Sequence, residues 1–348
     1  MSVGILTCIG FAFIATFLGG MQHIIGAPMI GLFLGAIAGN IKPATGEYKK
    51  GTTFAAKKFL MYGIILAGAT LDFNLVVKAG SSALPLIITN LCVSFGIAFL
   101  IGKMLGVSTN VKRLVGSGTA ICGGTAIATV SPIIEAKEEE MAYALTAIFL
   151  FDIIAALGFP FLAQALGLDA NQFGLLAGTA ISDTSSVVAA GDTFAQMMGL
   201  PLAAELAVIV KLTRTTFLVV IASIFTFVVV NEKRKSSVSS AELAADGGRS
   251  LENESEQSIG KVILKVFPWF ILGFLGMAIL NTMGVFPESM SPLFKDGYKF
   301  LVTAALVGVG FKINIKDLLT KGVKPIILGG CTWLAVATVS MLYIFFIM

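Results

Sequence analysis

Apolar residues run along this chain in long blocks, separated by short charged or Gly/Pro-rich breaks. The blocks fall near 5–20, 24–40, 57–71, 81–103, 114–134, 139–166, 172–190, 202–230, 262–281, 297–311 and 323–347, giving eleven candidate segments. A membrane-spanning helix needs about 20 predominantly apolar residues. The pattern therefore predicts an all-α, polytopic membrane protein with about 11 transmembrane segments and short loops. Between the eighth and ninth blocks, 231–260 is rich in Ser, Glu and Lys and almost without large apolar residues, so it reads as a disordered linker. It separates an N-terminal membrane half, 1–230, from the C-terminal membrane helices, 261–348. The first block lacks the charged n-region and cleavage site of a removable signal, so it is expected to persist as a helix.

Composition sharpens this picture. Of 348 residues, 56% are hydrophobic and 13% charged, against about 25% charged in soluble domains. With that many spans there is room for one small polar insert, which excludes a separate soluble catalytic domain. The net charge of +4 is modest, and nucleic acid is not an indicated partner. The distribution of the cations says more. Loop 41–58 holds five, 103–113 three, 231–265 six and 312–324 four, together 18 of 24. If every segment crosses once, these loops share one face, which the positive-inside rule makes cytoplasmic. The chain is then a multi-pass protein of the plasma membrane with its N-terminus inside, its C-terminus outside and the acidic turn 135–140 outside. If 114–134 and 172–190 are both re-entrant, the basic loops still share a face. Cys8, Cys92, Cys122 and Cys331 lie in apolar runs without metal-ligand spacing and read as packing residues.

The chain also repeats itself. At an offset of 240, Leu66, Gly68, Asn74 and Pro85 meet Leu306, Gly308, Asn314 and Pro325, and Pro28 meets Pro268. One residue further along, Phe33, Leu34, Gly35 and Asn40 meet Phe274, Leu275, Gly276 and Asn281. The repeat covers about 24–106 and 264–347. A shift of seven segments is odd, so the two copies run oppositely through the bilayer. Inverted repeats of this kind are a hallmark of secondary transporters.

Two segments look wrong for ordinary spanning helices. One contains Gly116, Ser117, Gly118, Thr119, Cys122, Gly123, Gly124 and Thr125; the other Gly178, Thr179, Ser182, Asp183, Thr184, Ser185 and Ser186. Both carry Gly-Thr-Ala-Ile and are dense in Gly, Ser and Thr where mid-membrane residues should be. Peptide groups released from a helix there must line a cavity or be buried in protein. A half-helix N-terminus would supply free N–H groups and a positive dipole end, an anion site needing no basic side chain. The competing reading is that these small residues only permit close helix packing.

Charged residues inside the apolar runs are few: Asp152, Asp183, Glu205, Lys211 and Arg214. Each should face protein or water. Lys211 and Arg214, three apart, share a helix face and either neutralise Asp183 or Asp152, attract an anionic substrate, or snorkel to the interface. Asp183 either holds a cation, carries a coupling proton, or caps a half-helix through neighbouring hydroxyls. Asp152 reads as an ion-coupling residue or as a polar contact between helices, and His23 as an ordinary turn residue. One histidine cannot furnish both a Ser-His-Asp mechanism and a His-based metal site, and no phosphate-binding Gly-x-x-x-x-Gly-Lys-Ser/Thr occurs. The expectation is a protein that is not an enzyme, with no cofactor and no metal, driven by ion or solute gradients.

The runs Gly116 to Ala128, Gly178 to Gly191 and Val210 to Arg214 resemble the signatures of the YeiH-like sulfate exporter family of bacterial inner-membrane proteins, in a layout that matches nearly the whole chain. That family often has His and Gln where this chain has Ser182 and Ser186. The resemblance implies a transporter of the cation-proton antiporter and anion transporter superfamily, built from inverted repeats with broken helices. The combined expectation is a secondary transporter of a small inorganic or organic anion (sulfate, sulfite, sulfonate or carboxylate) working by alternating access, with elevator-like motion of the site-bearing helices. Ser117, Gly118, Thr119, Gly123, Gly124, Thr125, Thr179, Ser182, Thr184, Ser185, Lys211 and Arg214 would bind the anion. Asp183 and Asp152 would couple to H+ or Na+. Membrane lipid is a further partner, and a homodimer is one assembly open to it. The rivals are a cation-proton antiporter using Asp183 and Asp152, and a non-transporting membrane scaffold or sensor.

Overall fold

Helices close backbone hydrogen bonds within themselves, the condition for burial in lipid, and the chain is 87% helix with no strand among the described residues. The computed structural model describes residues 1–21, 26–241, 268–313 and 323–348. Helices α1 (Ser2–Met21), α2 (Ala27–Ile41) and α3 (Gly46–Phe54) are followed by a π-helical turn (Ala55–Phe59) and α4 (Leu60–Gly68). Then come α5 (Phe73–Met104), α6 (Thr109–Ala120), α7 (Gly124–Ile133), α8 (Glu138–Ala165), α9 (Ala170–Ala180), α10 (Thr184–Met198) and α11 (Pro201–Ala241). The last three are α12 (Trp269–Thr282), α13 (Ser291–Gly310) and α14 (Val323–Ile347). Among the described residues α1, α5, α8, α14 and the 201–232 part of α11 are long and apolar enough to cross a membrane; α2, α7 and α12 are shorter apolar helices. The protein is an all-helical polytopic membrane protein. Helix α11 continues to Ala241, so the first part of the expected linker extends a helix; 242–260 lies outside the described residues, as do His23 and Asn314.

Polar contacts at the helix ends sort the loops onto two faces. On one, the Met1 amino group lies 3.5 Å from Glu47 and Asn40 donates to the Ile313 carbonyl at 2.8 Å. Glu140 accepts from Ser108 at 2.6 Å and from Asn110 at 3.1 Å, while Arg113 pairs with Glu232 at 2.5 Å. On the other, Gln196 donates to the Gly19 carbonyl at 3.1 Å and the Phe73 N–H to Thr282 at 2.7 Å. Lys299 pairs there with Asp192 at 3.3 Å. The turn 135–140, expected opposite the basic loops, thus shares their face. The cause is that α6 and α7 do not traverse: α6 enters, breaks at 121–123, and α7 returns to the face it left.

The second unusual segment does the same from the opposite face. Phe173 on α9 stacks on Phe194 of α10 with ring centroids 4.0 Å apart, which brings the two outer ends of that segment together. Both 114–134 and 172–190 are therefore re-entrant hairpins, and nine segments run from face to face among the described residues: α1, α2, α3–α4, α5, α8, α11, α12, α13 and α14.

With that path, α2, α3–α4 and α5 run opposite to α12, α13 and α14, as the sequence repeat requires. The arrangement is two-fold in kind: α2 packs on α13 and α4 on α12, α5 on the first hairpin and α14 on the second. Helices α2 and α13 touch backbone to backbone, because a Cβ at Gly35 or Gly310 would strike the carbonyls of Val307 or Leu32. Leu114, Val115, Ile121, Ile127, Phe173, Leu176, Ile181 and Val187 bury the hairpins in the larger apolar core. Of the cysteines, Cys8 and Cys122 are buried, Cys331 half-buried and Cys92 exposed on α5.

Candidate functional site

The two hairpin tips meet inside the protein. At the first, Gly123 adopts φ +63° and ψ −121°, a conformation open to glycine almost alone. Its α-carbon lies against the Ser182–Asp183 backbone of the second tip, to which a Cβ would come within 3.4 Å. At the second, Ile181 and Ser182 leave helical geometry without any glycine, and Asp183 caps α10. The break thus falls three residues beyond Gly178, which stays helical; its missing side chain lets α9 lie against Val210 and Ala207 of α11.

Each tip joins a helix C-terminus to a helix N-terminus. The two C-termini leave carbonyls without helical donors and carry partial negative charge. Both are held from α11. Arg214 Nε donates to the Ala120 carbonyl at 2.6 Å, Nη1 to Thr179 at 2.6 Å and Ile181 at 3.1 Å, and Nη2 to Thr119. Lys211 Nζ donates to the carbonyls of Ile121 at 2.7 Å and Ile181 at 2.9 Å. Lys211 is 0% and Arg214 1% exposed, so one face of α11 staples both hairpins by their negative ends. The pairing of these cations expected with Asp183 or Asp152 is replaced by capping of main-chain carbonyls, and neither head group reaches the interface. Most of their donors serve these carbonyls, and neither residue is among those lining the cavity beside the second tip.

The N-terminal ends are treated oppositely. Asp152, buried on α8, accepts the N–H groups of Ser182 and Asp183, each at 2.8 Å. Asp183 accepts from the Ser185 N–H at 2.9 Å and from the Ser185 hydroxyl. The positive end of α10 is thus matched by two carboxylates. At α7 the cap is Gly123, which brings no side-chain bond.

Beside the second tip lies a cavity of about 320 Å³. Asp152, Asp183, Ser185, Ser186, Thr146 and Lys312 supply its polar wall; Leu32, Leu145, Phe149, Ile153, Val309 and Ile313 are among the apolar residues around them. It sits at the basic-loop ends of α8 and α13, and Lys312 lies close enough to Lys57 and Lys49 to feel their charge. Asp152, Asp183 and Ser185 are therefore brought together on one wall. Ser117, Gly118, Thr119, Gly123, Gly124, Thr125, Thr179, Ser182 and Thr184 are not part of that wall. Ser117 and Thr179 bond back to the Arg113 and Leu175 carbonyls at 2.6 Å each, and Thr125 is exposed. Thr179 also meets Ser340 at 3.0 Å, which accepts from Asn90 at 2.8 Å, tying α9, α14 and α5 together. Lys312 was missed because it reads as one more cation of a basic loop, and Thr146 because a single Thr in an apolar helix carries no signal.

This arrangement belongs to a chain whose residues 3–329 match the family model described as Conserved hypothetical protein 698. The protein is a member of that family. It is 35% identical to a UPF0324 membrane protein of Fusobacterium nucleatum subsp. nucleatum over 97% of this chain and 96% of the relative. A UPF0324 membrane protein of Clostridium tetani is 36% identical over 98% and 96%. One of Streptococcus pneumoniae serotype 4 is 35% identical over 97% and 95%. Family membership and the apolar helices agree on a membrane protein, and the match runs through both hairpins and α11.

Proposed function

We propose that this protein is a secondary active transporter of a small anion, with Asp183 and Asp152 carrying the coupling H+ or Na+. The observation that carries the reading is the meeting of two opposed hairpin tips beside a cavity with carboxylates on its wall. Discontinuous helices offer ion and solute sites at mid-membrane depth without side-chain cages, and intramembrane carboxylates facing a cavity are the usual carriers of ions or protons. Lys312 on the cavity wall, with Lys49 and Lys57 near enough to add to its field, would concentrate anions there. Oxyanions of the sulfate, sulfite, sulfonate or carboxylate class suit that group of cations, with Thr146 on the polar wall beside it. The positive-inside rule favours the cytoplasmic face of the plasma membrane for this cavity, and on that reading the C-terminus is outside.

Purified protein in liposomes should accumulate labelled sulfate or sulfite under an imposed proton or Na+ gradient. Asp183→Asn should abolish gradient-driven uptake, and Lys312→Met should raise the concentration needed for half-maximal uptake. Uptake like wild type in Asp183→Asn and Asp152→Asn together would remove the proposed coupling site. The carboxylates also favour a second reading, a cation-proton antiporter; there, added Na+ alone would drive proton movement, with no response to sulfate or sulfite. A scaffold would respond to neither, and would lose its function on deletion of 242–256, which a transporter tolerates.

A further inference from the structure

The cavity opens at one end of α13, and the opposite end of the same helix carries a second group of charges. Lys299 lies 3.3 Å from Asp192 on α10, and Lys295 lies 3.9 Å from Glu205 on α11. A small cavity of about 50 Å³ lies among them, lined also by Tyr298, Thr70, Ala67, Leu71 and Val208. The carboxylates are mostly buried, 15% and 26% exposed, whereas the lysines stand at 48% and 45%. From 299 to 309 α13 rises about 15 Å, so this cluster and the main cavity lie half a membrane apart along one rod. Both ion pairs join α13, which packs backbone to backbone on α2, to the two helices that complete and staple the second hairpin.

We propose that the Lys299–Asp192 and Lys295–Glu205 pairs form the closed gate of the face opposite the basic loops. Holding α13 against α10 and α11, they bar that face from the Asp183 wall while the basic-face cavity is open. Opening to the far face requires both pairs to part, and the small cavity beneath them is the space into which that passage widens. Lys295 and Lys299 lie one helical turn apart and so share one face of α13. The far lysines, once released, face the route with a charge like that of Lys312 at the other end.

This inference rests on the transporter reading for what passes the gate, but its test needs no transported solute. In protein whose four cysteines are replaced by alanine, Ser186→Cys places one thiol on the main cavity wall. Oriented vesicles are treated with a membrane-impermeant thiol reagent from each face in turn. The parent should be labelled from the basic face and slowly from the other. Lys295→Met with Lys299→Met should speed far-face labelling about tenfold, the change expected when two partly buried pairs worth about 1.4 kcal/mol together are lost. Asp192→Asn with Glu205→Gln, which leaves the lysines in place, should do the same. Reversing both pairs, Lys299→Asp with Asp192→Lys and Lys295→Glu with Glu205→Lys, should keep the rate near that of the parent. Far-face labelling unchanged in both neutralised variants would overturn the gate. A Ser186→Cys thiol unreactive from either face would instead overturn the solvent-filled cavity, and with it the proposed function.

Discussion

At the scale of single residues, charge is divided by its role at the hairpins. Lys211 and Arg214 answer the negative helix ends, and Asp152 and Asp183 answer a positive one, so each buried charge has a main-chain partner. Removing a buried cation strands the carbonyls it served. Arg214→Leu should cost about 3–5 kcal/mol, seen as a large drop in the melting temperature of detergent-solubilised protein. Arg214→Lys should recover little of it, because an ammonium cannot reach four carbonyls in the planar fork that guanidinium offers. Asp152 separates fold from function. Asn at 152 can still accept from the Ser182 and Asp183 N–H groups, so Asp152→Asn should melt close to the parent yet lose gradient-driven uptake. Asp152→Leu should lose both. An Asp152→Asn protein that is fully active would leave Asp152 a purely structural cap.

At the scale of elements, the hairpins were half legible. The paired Gly-Thr-Ala-Ile runs and the glycines at 123 and 124 announced the breaks, since few other signals explain such polarity inside an apolar block. The exact breakpoint was legible only at Gly123. At the second tip it follows from Asp183, a helix-capping residue, and from the Asp152 carboxylate reaching in from α8, which local sequence does not contain. Gly123→Ala should cost about 1–3 kcal/mol, because an alanine resists φ +63° and ψ −121°. The same variant pushes a methyl group toward Ser182 and Asp183, so uptake should fall more than stability does. A melting temperature and uptake both equal to the parent's would mean that the tip relaxes elsewhere. That the segments re-enter rather than cross was not legible, because a hairpin of two short apolar helices has the same hydropathy as one broken span.

At the scale of the whole molecule, the path has a direct topological test. In the cysteine-free protein, Lys49→Cys and Glu138→Cys should label from one face and Met283→Cys from the other. Labelling of residue 138 with residue 283 would mean that 114–134 crosses after all. Because both hairpins fold back, the parity of the remaining segments is preserved, which is why the basic loops gathered on one face whichever way 114–134 and 172–190 ran.

The sequence by itself determined an all-helical membrane chain, its eleven segments, the opposed triplets at an offset of 240 and the two polar segments. Hydropathy, helix breakers and register are local or periodic properties, and lipid leaves the backbone little choice but helix. Only the tertiary structure decided which charges face the cavity. Lys211 and Arg214, open in sequence to pairing with Asp183 or Asp152, to anion binding or to snorkelling, cap main-chain carbonyls, while Lys312, a loop cation in sequence, lines the cavity. The reason is that a buried charge goes where unpaired backbone groups are, and those groups are brought to α11 and α8 by helices 30 to 95 residues away in the chain.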